Sequence, residues 1–184
     1  MTQKAAETKN QSPKSFQPSA ETKRLDIFVG EWNVEGKSYA EGSSNANLQV
    51  SSVEMKFVQT CEWLSGGFFL MNRWDGHVGE SEFNGMEIIG YDISSQKYIS
   101  KFFDNAGNAP TYQVTIRDNV WTYSGELQRA TFEFSDDGNT ISTHWDWKKT
   151  DGENWLLLCD LTASKLNRNK RLLLNICGDG NTFN

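Results

Sequence analysis

A chain of 184 residues, 37% apolar and 12% aromatic with seven Trp and eleven Phe, suits one domain with a full core, because large rings bury much area each. Its net charge of −6 opposes phosphate and anionic membrane surfaces, and no apolar run reaches the roughly 18 residues of a transmembrane helix, which argues against nucleic acid and membrane as partners. Three widely spaced cysteines, Cys61, Cys159 and Cys177, supply neither a disulfide framework nor a CxxC metal pair and read as reduced thiols.

Residues 1–22 are mostly polar and charged, with Pro13 and Pro18, and are expected to be a disordered leader. They lack the apolar core of a secretory signal, so the expected compartment is the cytoplasm. The stretch LDIFVG, ending at Gly30, reads as a short helix plugging the end of a barrel. Segments of period two follow at 31–39, 48–61, 67–74, 82–91, 97–103, 111–117, 119–124, 129–134, 140–148 and 155–165. The polar stretch from Arg73 to Glu82 reads as a solvated hairpin loop with a turn at Asp75-Gly76. Asp137-Gly138 and Asp151-Gly152 carry the turn chemistry of tight hairpins, and Asp92 and Asp104 are placed to bond backbone amides in loops. About ten strands joined by short turns predict an all-β, antiparallel up-and-down barrel over 23–166, since closure removes exposed edges. The tail 167–184, with Arg168, Lys170 and Arg171 ahead of three leucines, fits no strand of this scheme and receives no assignment.

One face of the later strands carries Tyr112, Val114, Ile116, Phe132, Phe134, Ile141, Trp145, Trp147, Trp155, Leu157 and Leu161; the other is polar. The apolar face is the expected interior. A barrel of eight to ten strands either fills that interior or holds one small ligand, and the sequence leaves both open. In the hollow case the expected ligand is a small hydrophobic or amphipathic molecule, lined by Tyr112, Phe132, Trp145 and Trp147. Arg73 and Arg129, if inward, would pair with a carboxylate head. Cys61 and Cys159 lie in strands and read as small buried residues.

Two alternatives stand beside that reading. The first is an enzyme whose acid and base at the barrel mouth would be His77, Asp75 and Glu82, because a histidine beside carboxylates suits proton transfer. The second is a module that forms homodimers through outer rings such as Trp121, Tyr123 or Phe103. His144 shares an outward face with Ser142 and Asp146. Neither histidine has metal-ligand spacing, so no metal site is expected; haem ligation by His144 or His77 would require that residue to point inward.

The triplet Gly30-Glu31-Trp32, opening the first strand after a short helix, resembles the first strand of lipocalin-like (calycin) barrels. That resemblance implies a Trp packed across the closed end beneath a basic residue, here Lys165 or Arg168. A closer likeness is to the bacterial domain of unknown function 1579 family. It rests on Leu25, Val29, Gly30 and Trp32, then Gly66-Gly67-Phe68-Phe69-Leu70, Gly90-Tyr91-Asp92 with Lys97-Tyr98, Phe103-Asp104 with Gly107, and Trp121. The hairpin from Phe134 to Thr140, Trp145, Trp147 and a last strand near Lys165 complete it. The likeness spans about residues 24–166 and implies a lipocalin-like fold but no activity. It makes Trp32 a seal, so any pocket should open at the opposite end.

Overall fold

The computed structural model describes residues 17–43 and 52–166. They form α1 (Ala20–Lys23), a 3-10 turn (Arg24–Phe28) and ten strands. These are β1 (Gly30–Ser43), β2 (Ser52–Trp63), β3 (Phe69–Val78), β4 (Ser81–Asp92), β5 (Lys97–Asp104), β6 (Thr111–Arg117), β7 (Val120–Ser124), β8 (Gln128–Phe134), β9 (Thr140–Trp147) and β10 (Leu156–Lys165). Each strand pairs antiparallel with the next, and β10 returns to β1, with Trp32 opposite Lys165 and Gly36 opposite Leu161. The fold is therefore the expected all-β, up-and-down lipocalin-like barrel with a short N-terminal helix.

Alternation dictates which residues face the interior. In β6, Tyr112 and Val114 are buried while Thr111, Gln113 and Thr115 are exposed. In β9, Ile141, Thr143 and Trp145 are buried and Ser142 and His144 face out. Apolar side chains on one face drive closure, because only a closed sheet hides that face and pairs every strand.

The N-terminal segment closes one end. A helix of four residues cannot stand alone; α1 is capped by Ser19 Oγ, which accepts from the Thr22 backbone N–H at 3.1 Å, and is held by docking. It begins inside the segment 1–22 assigned above to a disordered leader. Thr22 is buried, and the Tyr98 hydroxyl donates to the Glu21 carbonyl at 2.8 Å. Leu25 and Phe28 point into the barrel, where Phe28 meets Trp121 edge-on at 4.8 Å and Phe134 at 5.0 Å. The Trp63 indole N–H donates to Asp26 Oδ1 at 2.7 Å, tying the plug to β2.

Trp32 is fully buried beneath this plug. Its indole N–H donates to the Phe28 carbonyl at 2.9 Å, and Lys165 Nζ lies 5.0 Å from its ring centroid. Lys165 thus supplies a basic residue over the ring; Arg168 and the whole tail 167–184 lie outside the described residues. Gly30 joins plug to strand at φ 139°, a region that side-chain-bearing residues rarely enter.

Two expectations about strand phase and ends are corrected. The Asp75-Gly76 pair is not a turn: β3 runs through it to Val78, and the chain reverses at Gly79, whose φ is 58°. Gly76 serves close approach instead. A Cβ there would lie 2.1 Å from the Lys56 carbonyl oxygen and 2.5 Å from Phe57 Cα. Gly76→Ala therefore forces β2 and β3 apart and should cost about 2 kcal/mol or more, in the range of overpacking; a urea midpoint equal to wild type would refute this. The second correction lies in β10, where the register shifts between Leu157 and Cys159. The irregularity changes the phase of the strand, so Leu158, not Leu157, lines the interior. Trp155 precedes the strand and takes the Arg129 guanidinium 4.6 Å from its ring.

Candidate functional site

The barrel is hollow. A cavity of about 1010 Å³ runs from Phe28, on the plug, to a mouth at the far end formed by Asp104, Gly107–Thr111, Gly125–Gln128 and Trp147–Lys149. This is the end opposite Trp32, as the sealing role of that residue requires. The volume sits at the top of the roughly 300–1,000 Å³ typical of small-molecule pockets.

The wall is mostly aromatic. Phe102, Tyr112, Tyr123, Phe132 and Trp145 form one connected set, with Tyr123–Phe132 at 4.7 Å, Phe102–Tyr112 at 5.1 Å and Tyr112–Trp145 at 5.5 Å. Trp74 continues the set, 5.6 Å from Phe102 and stacked on Phe83 at 5.6 Å. The rings hold one another at edge-to-face and tilted angles, which suits rigid walls that do not collapse into the space.

Polar groups interrupt this wall deep inside. Glu87 on β4 is opposite Asn72 on β3, and both face inward. Ser100 Oγ donates to Glu87 Oε1 at 2.6 Å and Asn72 Nδ2 to Oε2 at 3.2 Å. The Tyr123 hydroxyl is hydrogen-bonded to the same carboxyl. Burial pushes the Glu87 carboxyl above its ordinary value, and these donors only partly offset that. Burial also raises Tyr123, Tyr112 and Cys61, and takes the Cys159 thiol to about 12, so all four are neutral at pH 7. Among the described residues, three buried side-chain polar atoms have no hydrogen-bond partner: Asn72 Oδ1, Trp74 Nε1 and Trp147 Nε1. All three residues line the cavity.

Of the residues expected at a ligand site, Tyr112, Phe132, Trp145 and Trp147 line the cavity. Arg73 and Arg129 do not, which corrects their expected inward role. Arg73 falls between inward Asn72 and Trp74, so it points out and pairs with Glu62 at 3.0 Å. Arg129 falls next to inward Ala130 and pairs with Asp146 at 2.8 Å.

The acid–base set fails to form a pocket. His77 and Glu82 are cross-strand neighbours, but they and Asp75 are all exposed on the outer face. His144 also faces outward, between Asp160 at 2.6 Å and Asp146 at 3.1 Å. With both histidines outside the barrel, neither can ligate a haem inside it. Trp121 and Tyr123, expected as outer rings of a dimer face, are buried within; Phe103 alone of that trio stays on the outside. Asp92 and Asp104 do bond loop amides, Asp92 Oδ1 accepting from Ser94 N at 2.9 Å and Asp104 Oδ1 from Asn108 N at 2.9 Å.

Asn72, Glu87 and Ser100 are the functional candidates that the sequence reading missed. The signal was the alternation itself: Leu70, Asn72 and Trp74 share one face of β3, Phe83, Glu87 and Ile89 one face of β4, and Tyr98, Ser100 and Phe102 one face of β5.

A closed ten-stranded antiparallel barrel, sealed at one end and hollow toward the other, defines the class: a lipocalin-like barrel with an internal chamber. The family model described as "Protein of unknown function (DUF1579)" matches residues 17–152, and the chain belongs to that family. No curated protein matches the sequence. Among solved structures the chain is similar to Rv2717c from M. tuberculosis, with TM-score 0.56 and 9% identity over 82% of this chain and 100% of that one. It is also similar to the S-type phycobiliprotein lyase CPES from Guillardia theta, with TM-score 0.48 and 10% identity over 82% and 94% of the two chains. At 9% identity the likeness to Rv2717c concerns the fold alone. No helix among the described residues is long and apolar enough to cross a membrane.

Proposed function

We propose that this protein binds a small hydrophobic or amphipathic molecule inside the barrel. The observation that carries the reading is the chamber of about 1010 Å³, walled by aromatic rings, open at one end among the described residues and furnished with polar groups at depth. An apolar space of that size is an unfavourable place for water, and a ligand filling it gains the contacts that the rings lack. No part of the reading invokes an acid–base reaction at the mouth, because Asp75, His77 and Glu82 face solvent outside it. Haem is not the favoured occupant of this reading, for His77 and His144 both face outward and no imidazole lines the chamber. A cytoplasmic setting belongs to the same reading and is supported by the buried, unpaired thiols of Cys61 and Cys159.

The test uses N-phenyl-1-naphthylamine, a neutral probe whose emission rises in apolar surroundings, with quenching of Trp74, Trp145 and Trp147 as a second signal. Wild type should bind the probe with saturable enhancement. Leu158→Trp, which adds a ring at the cavity wall, should weaken binding at least tenfold while leaving the far-UV circular dichroism unchanged. Absence of saturable binding by wild type up to the solubility of the probe would overturn the reading, as would undiminished binding by a folded Leu158→Trp protein.

A further inference from the structure

The deep end of the chamber is rich in hydrogen-bond acceptors. Glu87 contributes two carboxyl oxygens and Asn72 contributes Oδ1, which has no partner although its residue is only 8% exposed. Glu87 itself is 5% exposed, and three side chains already donate to it. A buried acceptor left unpaired costs about 1–3 kcal/mol, so the site is incomplete as it stands and calls for a donor from the ligand.

Two further observations decide what kind of donor. The rings of Tyr112, Tyr123 and Phe102 stand close to one another in the same wall, and ring faces attract cations. The cationic side chains among the described lining residues are Lys148 and Lys149, both at the mouth, and Lys148 is engaged by Asp151 at 2.6 Å. Nothing cationic in the described wall therefore balances Glu87 at depth. Trp74, opposite Gly85 and one inward position nearer the mouth than Asn72, offers an unpaired indole N–H at 7% exposure. It suits an acceptor on the ligand's body.

We infer that the chamber takes an organic amine, its protonated head seated against Glu87 and Asn72 Oδ1 and its apolar body along the aromatic wall toward the mouth. An ammonium head carries three donors and no acceptor, which matches the acceptor surplus. It also supplies the counter-charge that lets buried Glu87 release its proton to solvent and pair as a carboxylate, whereas a carboxylate head brings no counter-charge and meets an ionised Glu87 as a like charge. The protein's net charge of −6 adds a long-range field that favours cations over anions at the mouth.

The inference rests on the barrel-binding reading and is tested separately from it with a matched series: decylamine, decanol and decanoate, each below its aggregation limit, titrated at pH 7 by tryptophan fluorescence and calorimetry. The expected order is amine at least tenfold tighter than alcohol, with decanoate weakest. Glu87→Gln keeps the shape and removes the charge; it should bring amine affinity to within about twofold of the alcohol affinity measured on the same variant. Decanol binding as tightly as decylamine, or decanoate binding more tightly than either, overturns the amine assignment and leaves the barrel-binding reading intact. Binding of none of the three overturns both. The wild-type order is informative even if Glu87→Gln does not fold.

Discussion

Trp32→Ala should lower the melting temperature by about 10 °C or more, corresponding to a loss of roughly 3–5 kcal/mol, the largest single effect expected in this chain. Trp32 is fully buried and packs where the plug meets β1. Truncation leaves a void there and removes the donor to the Phe28 carbonyl, leaving a buried acceptor unpaired. It also frees Lys165, whose ammonium rests over the ring. The consequences spread because Phe28 anchors the plug against Trp121 and Phe134, so a loosened Phe28 carbonyl slackens the seal of one whole end. Against the 5–15 kcal/mol that holds typical domains, this is a large fraction of the total. Trp32→Phe separates the two contributions: it keeps most of the apolar contact, loses the hydrogen bond, and should cost about 1–3 kcal/mol. Urea melts followed by circular dichroism give both values; a Trp32→Ala midpoint equal to wild type would refute the sealing role. Since the mouth lies at the other end, a Trp32→Phe protein should bind the naphthylamine probe as wild type does.

What the sequence discloses and what it conceals follow from one periodicity. Alternation locates strands reliably because each side of a pleated strand sees a single environment, and β6 shows it cleanly, with Tyr112 and Val114 against Thr111, Gln113 and Thr115. The same rule, pressed strictly through β3, β4 and β5, places Asn72, Glu87 and Ser100 inside. Polarity argues against putting such residues in a core, and their mutual satisfaction becomes visible only when three strands are side by side. Alternation fails where it is locally broken. The register shift near Leu157 exchanges the faces of the residues before it. In β8 the alternation holds: Phe132 and Phe134 share the inward face with Ala130, and the same phase puts Arg129 on the outer face. Trp121 and Tyr123 read as outer rings because β7 spans only five residues; in place they belong to the core, against Phe28 and Phe132. Asp75-Gly76 carries the composition of a turn, yet the glycine is required by the closeness of β2 rather than by a reversal. The lining residues Tyr112, Phe132, Trp145 and Trp147 were legible. The hollow between them was not, since a void depends on how rings tilt against one another.

The protein should lose stability as pH rises above 4.5, the ordinary value of the Glu87 carboxyl, and Glu87→Gln should abolish that loss. The sign follows from the direction of the Glu87 shift. Burial raises its folded-state value above the unfolded value of 4.5, so the folded protein holds this proton more tightly. The stabilising contribution is complete below pH 4.5 and is lost as pH climbs through the folded value, at up to about 1.4 kcal/mol per pH unit for one proton. The groups whose fields couple to it, Cys61, Tyr112 and Tyr123, are themselves raised by burial and stay neutral across this window. The acid side behaves oppositely. Asp92 and Asp137, held at about 2 by hydroxyl and amide donors in their loops, contribute stability above their ordinary range that disappears as pH falls toward 2. Glu87→Gln should therefore flatten the profile between pH 5 and 8 and leave the acid limb as it is. The amide can still accept from Ser100, and it donates to Asn72 Oδ1 once the Asn72 amide, whose Nδ2 faces this position in the native protein, turns over. Urea midpoints at pH 5, 6, 7 and 8 decide the matter: a wild-type profile that rises over this range, or an equal fall in both proteins, would show that Glu87 is not the group that controls it.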